Sequence, residues 1–349
     1  MRRLIILKKI ILILIVVFFL FWAVWYVWNH QAEFLVITRI SLAHLVGLYL
    51  IYIIFLVCNG LLLKVALEAF GIQMDRVSWL ALSAASTFAN QFLPARGGLG
   101  MRALYLSKMY QVRFVDFVAV IGVTYLMHIV INGIVAIGGI GIAWGQGEVL
   151  PRSLFGFFLT ITVMGLVVQV FSYCLPIKFQ PALLRWLYQV CLSWHRLRLV
   201  RGITIKLWGL TIALTASTIF QSKLAFSAAS LELSWSGILV YAASKNLAAL
   251  VGLTPGGFGI VESISIYLGQ ILNYATSSAL IVQGLLRAVA YTALLLIGPL
   301  GVLMLRRRLN DGNKPHKREL SSTARDKDEA VRPNLNVTLE RQAEPMGPS

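Results

Sequence analysis

Six ionisable side chains stand inside stretches otherwise built from Leu, Ile, Val, Phe, Ala and Gly: Arg96, Arg102, Lys223, Lys245, Glu262 and Arg287. Polar Asn90, Gln91, His128, Asn132, Gln221, Asn246 and Gln283 accompany them. Five of the six are cations, so the lone carboxylate can neutralise only one of them. A guanidinium presents a planar fork of donors that matches phosphate oxygens, and an ammonium adds a point charge. If these groups converge, they form a positive site suited to an anion such as phosphate. Taken singly, each has a plainer reading: Arg287 with Glu262 as a buried pair that locks two helices, Lys223 reaching outward along its own stem. His128 and Asn132, four residues apart, share one helix face and could serve a proton relay or an interhelical hydrogen bond.

No motif for covalent or metal chemistry accompanies these residues. The chain has no H-E-x-x-H, no nucleophile elbow, no Walker A loop and no clustered Asp/Glu metal site. Cys58, Cys174 and Cys191 lie far apart without metal-ligand spacing and read as packing residues. The expectation is therefore no catalytic residue, no metal and no cofactor.

The elements that carry the charges must be membrane helices. Of 349 residues 58% are hydrophobic and only 13% charged, and the apolar runs are longer than a soluble core helix requires. Because hydrocarbon offers the backbone no hydrogen-bond partner, and the runs lack period-2 alternation, they predict helices. A charge at the bilayer centre costs about 2.5 to 3.5 kcal/mol on the lenient scale, so six facing lipid would cost on the order of 15 kcal/mol. They must face protein or water.

The formal charge of +17 is concentrated beside apolar runs, a positive-inside pattern rather than a nucleic-acid surface. The N-terminus, the connection 176–206 and the stretch from Arg306 onward are basic and predict the cytoplasmic side. The first run, 10–28, ends on Trp22, Trp25, Tyr26 and Trp28, an aromatic belt where a signal peptide would need small residues, and reads as an uncleaved span. Further crossings are expected at 40–63, 114–143, 153–175, 207–230 and 279–305, six in all. The connection 176–206 reads either as an interfacial helix on an anionic leaflet or as a plain basic loop. The polar stretch 306–349 reads as a disordered cytoplasmic tail.

Two apolar segments, 77–110 and 236–272, must each begin and end on one side of the membrane. Their arms are shorter than the ~20 residues of a full span, and each is broken by Gly and Pro. The first break contains Pro94, Gly97, Gly98 and Gly100; the second contains Pro255, Gly256, Gly257 and Gly259. The fold expected is an all-α polytopic membrane protein with six full spans and two broken re-entrant hairpins. The hairpins enter from opposite sides, giving an inverted-topology repeat of about 40–143 and 207–305. In transporters such repeats place substrate where interrupted helices meet near the midplane. The plainer reading is that the Gly and Pro residues permit close helix packing.

At these breaks the sequence resembles the flippase-like family of membrane proteins, also known as the lysylphosphatidylglycerol synthase transmembrane region, over nearly all of 1–310. The matching residues are Leu93, Pro94, Arg96, Gly98 and Arg102, then Pro255, Gly256, Gly257, Gly259, Glu262 and Arg287. Where members commonly carry a Glu-Arg pair in the span after the first motif, this chain has Thr124-Tyr125-Leu126-Met127-His128. The resemblance implies handling of phospholipids or lipid-linked glycans, including movement between leaflets. In fused relatives the region serves a lysyl transferase. The stretch after Leu305 is too short to encode that domain, so the expectation is that this chain does not aminoacylate lipid by itself.

Three functions follow as expectations. The first is an inner-membrane translocator in which Arg96, Arg102, Lys223, Lys245 and Arg287 receive an anionic head group and Glu262 orients or releases an arginine. The second is a subunit or acceptor-lipid site of a head-group-modifying transferase. The third is a scaffold that recruits a cell-envelope enzyme partner.

Overall fold

The computed structural model describes residues 40–93, 96–171, 200–252 and 254–340. Among the described residues there are nine α-helices, one 3-10 turn and no strand. Five helices are long and apolar enough to cross a membrane: α1 (Leu42–Glu68), α4 (Phe114–Gly145), α5 (Arg152–Phe171), α6 (Arg201–Ala228) and α9 (Thr276–Glu340). They coincide with the crossings expected from 40 onward. The expected span 10–28 lies outside the described residues, as do Pro94 and most of the connection 176–206.

Between the long helices stand two pairs of shorter ones. The first pair is α2 (Arg76–Phe92, 17 residues) and α3 (Gly97–Tyr110, 14 residues). The second is α7 (Trp235–Val251, 17 residues) and α8 (Ile260–Ile271, 12 residues), separated by a 3-10 turn at Pro255–Gly257. At 1.5 Å per residue even the longer arms reach only about 25 Å, less than the ~30 Å hydrocarbon core. Starts are marked by side-chain caps: Asp75 accepts from the Ser78 amide ahead of α2, and Ser234 accepts from Gly237 ahead of α7.

The breaks follow from backbone chemistry. Arg96 is left-handed at φ 52 and ψ 51, so the chain cannot run straight from α2 into α3. In the second pair Gly252 (φ 59) ends α7, and Gly256 (φ 57) sits inside the 3-10 turn. Both are conformations that glycine adopts without a Cβ penalty. A Cβ on Gly252 would also collide with the Arg96 side chain, and one on Gly256 with Gln91.

The order long helix, broken pair, long helix thus occurs twice, and the two sets interleave. Helix α1 packs on α6, and α4 on α7. Glycines permit the close approaches: a Cβ on Gly139 of α4 would lie 3.0 Å from the Ser236 carbonyl of α7, and one on Gly301 of α9 would lie 2.8 Å from the Ala81 carbonyl of α2. The last helix of each set therefore meets the first arm of the other set's broken pair. Leu50, Ile54, Ile134, Val163, Phe220 and Leu296 are exposed on the long helices, the arrangement lipid requires.

The chain divides into two units at Val302–Leu303. The described backbone of α9 is helical through Glu340. Arg, Lys, Glu and Leu supply ordinary helix propensity there, while Pro315 and Pro333 each remove one helical hydrogen bond.

Candidate functional site

At the first break, Arg96 donates from Nη1 to the Tyr125 hydroxyl of α4 and from Nη2 to the Ala249 carbonyl of α7. Its Cζ lies 4.8 Å from the Tyr125 ring centroid. Arg102 on α3 is only 7% exposed and donates from Nε to Ser86 Oγ of α2 at 2.6 Å. Gly98 lets α3 sit this close, since a Cβ there would lie 2.6 Å from Asn90 Oδ1.

At the second break, Arg287 of α9 donates from Nε to Glu262 Oε1 and from Nη1 to the Gly256 carbonyl (3.2 Å) and the Tyr291 hydroxyl (3.1 Å). The other Glu262 oxygen accepts from the Gly259 amide at 2.7 Å and so caps α8. This N-terminus is occupied by the chain's own carboxylate, so it does not point at the cavity as an open anion site. That of α3 has no side-chain cap. Lys245 donates to Ser222 Oγ at 3.0 Å.

The breaks reach across to each other. Arg96 bonds α7 of the second pair, and Gly256 packs on Gln91 of the first. Between them lies a cavity of two lobes. The first, about 220 Å³, is lined by Arg96, Arg102, Tyr125, His128 and Asn132 among others. The second, about 310 Å³, is lined by Arg96, Lys245, Arg287, Gln91, Gln221 and Gln283 among others. Asn59, Asn90, Arg96, Thr218 and Asn246 line both, so the lobes adjoin and Arg96 stands between them. Among the described residues lining either lobe, none is Asp or Glu.

The structure thus brings Arg96, Arg102, Lys245 and Arg287 to one cavity, with Glu262 behind Arg287. Lys223 is placed elsewhere. Its ammonium donates to the Leu233 carbonyl at 3.0 Å and lies 5.5 Å from the Trp235 ring, beside Ser227, Ser230 and Glu232. Asn132 accepts from Asn246 across α4 and α7 at 2.9 Å, which makes it an interhelical link, while His128 faces the first lobe. Sequence reasoning did not single out Tyr125, Ser86, Ser222, Asn59 or Thr218. Hydroxyls are common in such helices, and spacing alone gives no sign of the partner. The unusual Tyr125 within Thr124–His128 was the one available signal. Among the described residues no group of three His, Cys, Asp or Glu gathers as a metal site.

Arg96, Arg102 and Lys245 meet only neutral partners in the described structure, and Arg287 alone of the four has a carboxylate. A buried cation without a counter-charge carries a desolvation cost that an incoming anion would offset. Chemically the site can hold phosphate oxygens.

These features define a polytopic helical membrane protein whose interior cavity is lined by cations at the meeting of two broken helix pairs. The chain belongs to the lysylphosphatidylglycerol synthase TM region family, whose model matches residues 9–298. Comparison with curated proteins and with solved structures gives no match.

Proposed function

We propose that this protein binds the phosphate of an anionic phospholipid or lipid-linked glycan in its cation-lined cavity and carries the head group between leaflets. One observation carries the reading: Arg96, Arg102 and Lys245 line two adjoining lobes whose described lining holds no carboxylate. Arg96, at the junction of the lobes, is the group a head group must pass, and Arg102 and Lys245 hold phosphate on either side of it. Arg287, tethered by Glu262, presents its remaining donor to the second lobe. Membership of a family described as the transmembrane region of a phospholipid-modifying synthase fits a lipid substrate.

The twofold occurrence of long helix, broken pair, long helix supports an inverted repeat with six crossings and two re-entrant pairs. The basic flanks support a reading with both termini on the cytoplasmic side of an inner membrane. In vesicles reconstituted with the full chain and a fluorescent anionic phospholipid, leaflet exchange should exceed that of protein-free vesicles and should drop in Arg102→Ala and Glu262→Gln. Unchanged exchange in both variants would remove this site from the mechanism.

A further inference from the structure

His128 differs in kind from the other charged groups of the cavity. Arginines stay cationic at any physiological pH, whereas an imidazole ordinarily changes its charge between about pH 5 and 8. His128 is the only histidine among the described residues lining the two lobes, and none of those residues is Asp or Glu.

Its place in the first lobe is fixed by α4. Ile121, Tyr125, His128 and Asn132 recur at helical spacing and line this lobe along one face of the helix. That face is anchored on both sides of the imidazole. One turn before it, the Tyr125 hydroxyl receives the Arg96 guanidinium. One turn after it, Asn132 donates to the His128 carbonyl at 2.8 Å and accepts from Asn246 of α7 at 2.9 Å.

The charges that share the lobe come from the first broken pair. Arg96 and Arg102 are its cations, and Tyr125 is its one other titratable group. Helices α1, α6 and α7 contribute the neutral Asn59, Thr215, Thr218 and Asn246 to the lining. Helix α5, packed on α4, carries no titratable side chain beyond Arg152 at its start. Lys245 lines only the other lobe.

A proton on His128 is repelled by the two guanidinia and attracted by a phosphate in the same lobe. A lobe of about 220 Å³ is small enough to hold an anion near every group of its lining. An opposite charge within about 4 to 6 Å changes the proton affinity of a titratable group by about ten- to a thousandfold. Binding and protonation are linked, so the proton raises the affinity for the anion by the same factor.

We propose that His128 couples the site to protons: the first lobe takes up one proton from water onto the imidazole together with the anion it binds. This rests on the anion-binding reading above and adds the ion that accompanies the head group. No covalent bond of the head group changes. A loaded site that crosses the membrane carries a proton with each head group, so a proton gradient biases the direction of travel.

The test is binding of a fluorescent phosphatidylglycerol to the full-length protein in mild detergent, with diacylglycerol as the uncharged reference. The phosphodiester keeps its single charge across the range, so any pH dependence belongs to the protein. Wild type is expected to bind at least about tenfold tighter at about pH 5.5 than at about pH 8. His128→Gln should bind at both pH values as weakly as wild type does at the higher one. His128→Arg should bind at both as tightly as wild type does at the lower one, a rescue that a merely structural histidine does not predict. If wild type prefers phosphatidylglycerol to diacylglycerol equally at both pH values, the proton coupling is overturned while the anion site stands. A His128→Gln profile that still follows pH as wild type does also overturns it, because the titration then belongs to another group. If phosphatidylglycerol binds no tighter than diacylglycerol at either pH, the anion site itself fails and the coupling with it.

Discussion

In the second broken pair, one carboxylate accepts from both the Arg287 guanidinium and the Gly259 amide, so the arginine, the break and the start of α8 are tied to a single side chain. In the first, among the described residues, Arg96 and Arg102 reach only a phenol, a backbone carbonyl and a serine hydroxyl. The pairs share their architecture and differ in how charge is compensated. Glu262 serves as a lock, and the 13% and 18% exposures of Arg287 and Glu262 place that lock largely out of water. The first pair has no counterpart to it in the described structure, so its positive charge remains available to a ligand. An inward-facing arginine therefore stands in two settings in one fold, against a carboxylate at the second break and against neutral acceptors at the first.

The comparison can be broken most directly at the lock. Glu262→Ala leaves Arg287 buried without its counter-charge and α8 without its cap, and should destabilise the protein by about 3 to 5 kcal/mol. Thermal unfolding in detergent measures this, and Glu262→Gln combined with Arg287→Gln should recover part of the loss. If Glu262→Ala unfolds like wild type, the lock is not one.

Arg102→Met sharpens the contrast from the other side. It removes an uncompensated cation together with one bond to a neutral hydroxyl, two effects of opposite sign, so stability should change by no more than about 1 kcal/mol. Retention of an anionic lipid through purification should nevertheless fall about tenfold or more, some 1.4 kcal/mol. A stability loss as large as that of Glu262→Ala would erase the difference between the two pairs.

An effect smaller than that of Glu262→Ala is expected where the breaks meet. Gly252→Ala forces a left-handed backbone on a residue with a Cβ and displaces Arg96, costing about 1 to 3 kcal/mol of strain before the neighbour relaxes. Gly100→Ala, which meets open space at ordinary φ, should be neutral or slightly stabilising because alanine favours helix. The same unfolding assay compares them, and equal losses would deny the close crossing of Arg96 and α7 its importance. The smallest change belongs to Lys223→Met, expected within about 0.5 kcal/mol and without effect on lipid retention, since Lys223 lies outside the cavity. A loss of retention in this variant would restore Lys223 to the site.

The second helix break was readable from Pro255-Gly256-Gly257, because those residues disfavour continuation; at the first, Gly97, Gly98 and Gly100 open α3 rather than interrupt it, and the left-handed residue is Arg96. The suspect charges were readable as well, since a cation inside an apolar run is costly whatever surrounds it. What could not be read was which of them meet. Arg96 finds its carbonyl partner 153 residues away at Ala249, and Arg102 finds a serine with nothing unusual about it. Lys223 and Lys245 look alike in sequence, yet one bonds the Leu233 carbonyl away from the cavity while the other lines the second lobe.

The sequence by itself determined that these helices belong in lipid, where they are interrupted, and that the embedded charge is mostly positive. Those follow from local composition and from the absence of water in hydrocarbon. Tertiary structure alone decided that Glu262 caps α8 and holds Arg287, that Tyr125 receives Arg96, and that one guanidinium lines both lobes. The reason is physical: in a membrane every helix is apolar on its outside, so hydrophobic pattern does not specify partners, and close contacts at small residues such as Gly139, Gly298 and Gly301 fix which helices pair.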